Sequence, residues 1–450
     1  MIRRVVSLLV VNLVVFAVAA ELIALAVFYY QTGWLYYLDP YRPQLAAVPE
    51  PPAGTLTTAA LHPYFGPTHQ PGIPFDMPEA LRDPAAPPDA TRAATNNFGF
   101  TARRDYPVAR ASDRQLLVGI FGGSVGAWFC EVGATRLASQ LAAAPAFRGR
   151  EVVPLCFSHE GYKQPQQLLI LSYFLSIGQA FDLVVNIDGF NEVAISPLNT
   201  ARGTDLSMPS VIHMDPLTAL LDQSSMSAGK VEALSRIHGY RQRLNAVAAR
   251  ANGAWSAAWH VALTRFHGVL DRRYRAEVAR FDALPATGPS LVRVTPPVRA
   301  RAGAELYRDI ASQWARSSVL MHQMLAGRGA RYVHVLQPNQ YFTTRAFAPG
   351  EAAVALAADS LFKPGVEQGY PALQAVIASG DLATAGVTVV DGVHLFDAER
   401  APMYIDNCCH YTRRGYEILA DAIAAAVVET ERSKDRPGGS SPARTTPAPR

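Results

Sequence analysis

Four cysteines in 450 residues are too few for a scaffold built on disulfides. None is spaced as a zinc ligand, because Cys408-Cys409-His410 sends three consecutive side chains in divergent directions. Three disulfide pairings are possible, and buried thiols fit the places of Cys130, Cys156, Cys408 and Cys409 inside expected elements equally well. Charged residues make up only 17% of the chain, and its net charge of +4 is carried mostly by the last twenty residues, where Arg432, Lys434, Arg436, Arg444 and Arg450 face only Glu431 and Asp435. The remaining body is near neutral, which argues against a nucleic-acid surface. Neither a G-x-x-x-x-G-K phosphate loop, a G-x-G-x-x-G fingerprint nor an internal repeat is present. No metal and no cofactor is expected.

What is abundant is apolar sequence, 49% of the chain. Arg3 and Arg4 precede a run from Val5 to Tyr30 broken only by Ser7, Asn12 and Glu21, long enough to cross a bilayer with some tilt. The run continues past the Ala17-Val18-Ala19 that a signal peptidase could read, so an uncleaved anchor is expected. Residues 1–4 then stay in the cytoplasm, 5–30 span the inner membrane, and everything after lies on the periplasmic side. Glu21 is costly in lipid and marks either a helix partner or a snorkelling side chain.

Residues 31–110 are rich in proline and aromatics and read as an extended arm. Two pieces of it, His62-Pro63-Tyr64-Phe65-Gly66 and Asn96-Asn97-Phe98-Gly99-Phe100, are specific enough to pack against a domain. An alternation of strands and helices follows over 111–430. Strands are expected at Leu116–Phe121, Val152–Phe157, Leu183–Ile187, Tyr332–Leu336 and Val387–Val390. Helices are expected at Ala127–Ala143, Gln164–Ile177, Ala304–Ala326, Tyr370–Ile377 and Arg413–Val428. This order predicts an α/β fold, a five-stranded parallel sheet in a three-layer α/β/α domain of flavodoxin-like type. A helical insertion at about 196–299, with helices at Lys230–Ala251 and Ala254–Phe281, interrupts it. Residues 431–450 read as a disordered tail.

The first strand ends in Gly122-Gly123-Ser124-Val125-Gly126 and opens into a helix. A serine there sits at the crevice of an open sheet and can be a presented nucleophile, or simply a helix cap. After the second strand come Ser158-His159-Glu160-Gly161-Tyr162, and after the third Asp188-Gly189-Phe190-Asn191-Glu192. The Gly161 N–H, the Asn191 amide and the Ser124 N–H could converge on one oxyanion. Two histidines have an aspartate close by: Asp391 with His394, and Asp406 with His410. Only His410 is followed by a glycine, Gly415, and a closing amphipathic helix.

These blocks, in this order, resemble the SGNH (GDSL-like) hydrolase superfamily: Gly122-Gly123-Ser124, then Gly161, then Gly189-Phe190-Asn191-Glu192, then the segment ending at His410. The His62-Pro63-Tyr64 and Asn97-Phe98-Gly99-Phe100 segments are similar to those of its membrane-anchored bacterial branch. The resemblance implies a catalytic Ser124, His410 and Asp406 and an oxyanion hole from Ser124, Gly161 and Asn191. Three departures stand out. Gly123 replaces an aspartate, Glu192 replaces another, and Asp406 lies four residues before His410, where the family spacing would put Asn407. A bulge could carry Asp406 to the imidazole, or the carboxylate could be absent from its usual place. Gly122-x-Ser124-x-Gly126 also matches the nucleophile elbow of α/β-hydrolases, but that fold has strands before its elbow and this domain has none.

The resemblance implies an ester hydrolase, an esterase or deacetylase whose partner is an ester-bearing small molecule or cell-envelope glycan. The alternatives are a periplasmic polysaccharide O-acyltransferase, which would need a membrane protein as acyl donor, and a non-catalytic glycan-binding module on the same scaffold.

Overall fold

A computed structural model describes residues 2–39, 44–45, 48, 59–82, 92–218, 227–284, 298–299, 301 and 303–434. The chain divides into two compact units, one made of residues 1–56 and 218–294, the other of 57–217 and 295–450. Helix α1 (Ile2–Thr32) begins the first unit. Its stretch Arg4–Thr32 is long and apolar enough to cross a membrane, and Leu8, Leu9, Leu13 and Phe16 stand exposed along it.

The second unit is built on strands. Two short antiparallel hairpins come first, β1 (Ala59–His62) with β2 (Gly66–His69), and β3 (Pro74–Asp76) with β4 (Arg92–Ala94). Then follow β5 (Gln115–Gly122), β6 (Glu151–Ser158), β7 (Leu183–Asp188), β8 (Arg331–Leu336) and β9 (Thr388–Asp391). These five form one sheet in the order β6-β5-β7-β8-β9, every neighbour parallel. All eight residues of β5 are buried, as expected for a continuous apolar run covered on both faces. From β5 the chain moves to β6 on one side and returns to β7 on the other. That reversal is a topological switch point, where open sheets leave a crevice at their carboxyl ends. Gly122 pairs there with Ser158 on one side and Ile187 on the other.

Helices cover both faces. α2 (Ser124–Val132) and α3 (Ala134–Ala143) replace the single helix expected over Ala127–Ala143, because the chain caps α2 at Gly133 and restarts there. A Cβ at position 133 would lie 2.6 Å from the Phe129 ring, so a side chain does not fit at the break. α4 (Gln166–Ser176) follows β6, and α5 (Phe190–Ala201) follows β7, reaching into the start of the segment expected as insertion. α6 (Ala228–Asn252) and α7 (Ala257–Ala283) belong to the first unit. α8 (Gly303–Ala326), α9 (Lys363–Ala378) and α10 (Arg413–Lys434) complete the second. α9 begins seven residues before the expected Tyr370, with Pro371 held inside it. α10 runs to Lys434, four residues into the expected tail, whose remaining residues 435–450 lie outside the described ones.

The segment expected as an extended arm is folded where it is described. Phe65 and Phe100 are buried, His62 stacks on Phe65 with ring centroids 3.6 Å apart, and Tyr173 and Phe174 of α4 meet the cluster edge-on. Tyr162 Oη donates to the Pro67 carbonyl at 2.7 Å, and Gln166 Nε2 donates to that of Phe65 at 2.9 Å. Burial of a phenylalanine contributes about 1.5–3 kcal/mol, so two of them hold these short hairpins in place where their few ladder bonds would not. Residues 40–43, 46–47, 49–58 and 83–91 of the arm lie outside the described ones.

In the first unit α6 and α7 form a helical hairpin around Leu244, Val247, Ala251, Leu263 and Leu270. Glu21 of α1 has its partner there. Its carboxylate accepts the backbone N–H of Ala257 at 2.7 Å and of Ala258 at 3.0 Å, together with the Tyr37 hydroxyl. These are free donors at the start of α7, where the helix dipole favours a negative charge, and Ser256 caps a further one on Trp259.

Candidate active site

β5 delivers Ser124 to the carboxyl edge of the sheet as the first residue of α2. Gly123 precedes it with extended backbone, φ −83° and ψ −150°. The serine N–H is thereby one of the donors a helix start leaves unpaired. Gly123 has no room for a side chain, because a Cβ there would lie 2.1 Å from Asn191 Nδ2. That accounts for glycine at a position where the SGNH resemblance implies aspartate.

Ser124 Oγ lies 2.7 Å from His410 Nε2. The other ring nitrogen, Nδ1, bonds to Asp406 Oδ2. A carboxylate on Nδ1 places the proton there and leaves Nε2 free to accept the serine hydroxyl. The four-residue spacing is accommodated by a turn. Asp406 Oδ1 accepts the backbone N–H of Cys408 at 2.9 Å, Cys409 at 3.0 Å and His410 at 3.3 Å, folding 406–410 back on its own carboxylate. Burial pushes Asp406 up, but the bonds from His410 and these backbone donors outweigh it and hold the carboxyl below its usual range. Cys409 is buried and reaches both the Cys408 sulfur, 3.2 Å away, and Ser124; burial keeps its thiol well above the ordinary value and so protonated.

Asn191 is the second residue of α5, and its Nδ2 donates to the Tyr162 carbonyl at 2.7 Å, directly beside Gly123. Gly161 lies on the loop after β6 with φ +73°, and a Cβ there would strike the His213 ring at 2.3 Å. Glu192 joins the two loops. One oxygen accepts the Gln164 N–H at 2.7 Å and the other the Gly189 N–H at 2.8 Å, capping a free donor at the start of α5. Burial and the neighbouring Asp188 carboxylate push Glu192 up to about 8.

No family model matches the chain, and the search of curated proteins finds no match. Among solved structures it is similar to the lipase Lip_vut3 from a goat rumen metagenome. The identity is 12% and the TM-score 0.32, over 69% of this chain and 97% of that one. A likeness this low says nothing of chemistry, which rests on the residues themselves.

The structure therefore brings Ser124, His410 and Asp406 into one hydrogen-bonded line and sets Asn191 beside it. His394 is elsewhere, 59% exposed at its side chain and bonded to Asp397 at 2.7 Å. Three features escaped sequence reasoning. The disulfide Cys130–Cys156 ties α2 to β6, with Cα atoms 5.8 Å apart. The fully buried Arg345–Glu351 pair, at 2.6 Å, holds the segment leading to Asp406: Arg345 donates to the carbonyls of Phe396, Glu399 and Ala401, and Glu351 accepts the Met403 N–H. Finally, His69, His159 and Glu160 gather their ligand atoms within 4.8 Å of one another beside Gly161. Ninety residues separate His69 from His159, so no local spacing could have shown it.

Proposed function

We propose that the protein is a membrane-anchored serine hydrolase of SGNH type that cleaves ester bonds through an acyl-serine. The observation that carries this reading is the Ser124 Oγ to His410 Nε2 contact of 2.7 Å, with Asp406 on the opposite ring nitrogen. A serine hydroxyl is a weak nucleophile until a base removes its proton, and this alignment supplies the base and the group that orients it. In the proposed reaction Ser124 attacks the ester carbonyl while its proton passes to His410. Asp406 stabilises the imidazolium so formed. The negative charge gathers on the former carbonyl oxygen, for which Ser124 N–H, Gly161 N–H and Asn191 Nδ2 are the proposed donors. His410 then protonates the departing alkoxide, and water, deprotonated by the same imidazole, releases the acid.

The active unit is proposed to lie outside the cytoplasmic membrane. Arg3 and Arg4 stand in the first turn of α1, ahead of its apolar run, on the side expected to stay in the cytoplasm, and Cys130–Cys156 suits an oxidising compartment. The substrate is then an ester-bearing small molecule or glycan met on that side.

The test is covalent labelling with a fluorophosphonate. Wild-type protein takes up one label per chain, and Ser124→Ala and His410→Ala take up none. Labelling that persists in Ser124→Ala, or folded wild type that never labels, overturns the reading.

A further inference from the structure

The imidazoles of His69 and His159 and the carboxylate of Glu160 meet at the loop that carries Gly161. His69 Nε2 lies 3.2 Å from Glu160 Oε2, and His159 Nδ1 lies 3.4 Å from the same oxygen. Two ligand atoms on one tetrahedral zinc ion, each about 2.0–2.1 Å from the metal, stand about 3.3 Å apart. The pairs seen here match that spacing. Two imidazoles and one carboxylate also form a donor set suited to zinc, with a fourth position left for water. The cluster is partly enclosed, with side-chain exposures of 24% for His69, 6% for His159 and 34% for Glu160, so an ion can enter past His69 and Glu160. His159 is held in place by its stack on Tyr162, and its Nδ1, 3.0 Å from the Glu160 carbonyl, would exchange that bond for the ion.

We propose that His69, His159 and Glu160 bind a single divalent transition-metal ion, zinc by the chemistry of the donors, which clamps strand β2 to the loop carrying Gly161. His69 reaches the loop from the end of β2, and Tyr162 bonds Pro67 of the same strand, so the ion would tie the hairpin to the loop at a second point.

The experiment uses the full chain in detergent, freed of any affinity tag and stripped with a chelator. Zinc chloride is titrated against a competing chromophoric chelator, with excess magnesium present to suppress weak oxygen sites. Wild type is expected to bind one zinc per chain. His69→Ala and Glu160→Gln, whose folding is checked by circular dichroism, are expected to bind at least tenfold more weakly. Zinc should raise the melting temperature of wild type and leave that of His69→Ala unmoved. Folded wild type that takes up no zinc, or variants that bind as wild type does, overturns the proposal. The readout is binding without turnover, so it stands apart from the ester-hydrolase reading.

Discussion

Asp406 grips His410 through both of its oxygens: Oδ2 bonds the ring Nδ1, and Oδ1 accepts the backbone N–H of His410 itself at 3.3 Å. The carboxylate thus sets the ring and the turn that carries it. Asp406→Asn leaves the turn partly made but removes the charge that favours a proton on Nδ1. For an ester such as p-nitrophenyl acetate, kcat should fall by about 10³ to 10⁴-fold with KM little changed. The same residue sets an acid limit on stability. Its folded pKa lies below the ordinary value of about 3.9, so its contribution is complete above that pH and is lost as pH falls through the folded value. Melting temperatures between pH 6 and pH 3 should fall more steeply in wild type than in Asp406→Asn; parallel curves would refute this.

Gly123→Ala tests the proposed oxyanion side without replacing Ser124, His410 or Asp406. Its Cβ would occupy the place of Asn191 Nδ2, 2.1 Å away, and push the amide aside. Loss of one such donor costs about 10² to 10³ in kcat. Asn191→Ala should lose a similar amount, and the double variant no more than either single one, since both remove the same group. Additive losses would show that Gly123 acts otherwise.

Arg345→Ala removes the ion-pair partner of the buried Glu351 carboxyl and frees three carbonyls. Removing one partner of a buried pair costs about 3–5 kcal/mol, to be read as a lowered urea midpoint. Arg345→Lys should recover only part of this, because an ammonium cannot reproduce the guanidinium fork that bonds Glu351, Glu399 and Ala401 together. Full recovery would reduce the role of Arg345 to charge alone.

Cys130 and Cys156 enclose a loop with a sequence separation of 26, for which chain entropy gives about 3–4 kcal/mol of stabilisation. The Cys130→Ala/Cys156→Ala variant should lose about that much, and dithiothreitol should lower the midpoint of wild type while leaving the variant unaffected. A reductant effect that survives in the variant would point instead to Cys408 and Cys409.

The five sheet strands were legible because each is a short apolar run, the central ones buried on both faces and the edge strand β9 half-buried, and the structure places each within about one residue of its expected ends. The hairpins β1 to β4 were not, since strands of three or four residues interrupted by proline carry no period and are held by Phe65 and Phe100 rather than by their own pattern. α5 was hidden by Pro197 and Asn199, poor helix formers tolerated where the Glu192 carboxylate, bonded to the Gly189 N–H, secures the start. In the site, residue types and strand ends could be read, but not how a four-residue spacing would bring Asp406 to His410. That depends on three backbone donors turning inward. Arg345 with Glu351, and His69 with His159, gave no local signal because only the folded chain brings their partners together.

Ser124 and His410 are 286 residues apart in the chain. A growing polypeptide completes the serine, its strand and both neighbouring loops well before the histidine is made. Until the segment around 406–410 docks, the serine has no base and is an ordinary alcohol. On the proposed reading, the pairing of the serine with its base therefore waits on residues 406–410, which synthesis supplies only after all five strands of the sheet.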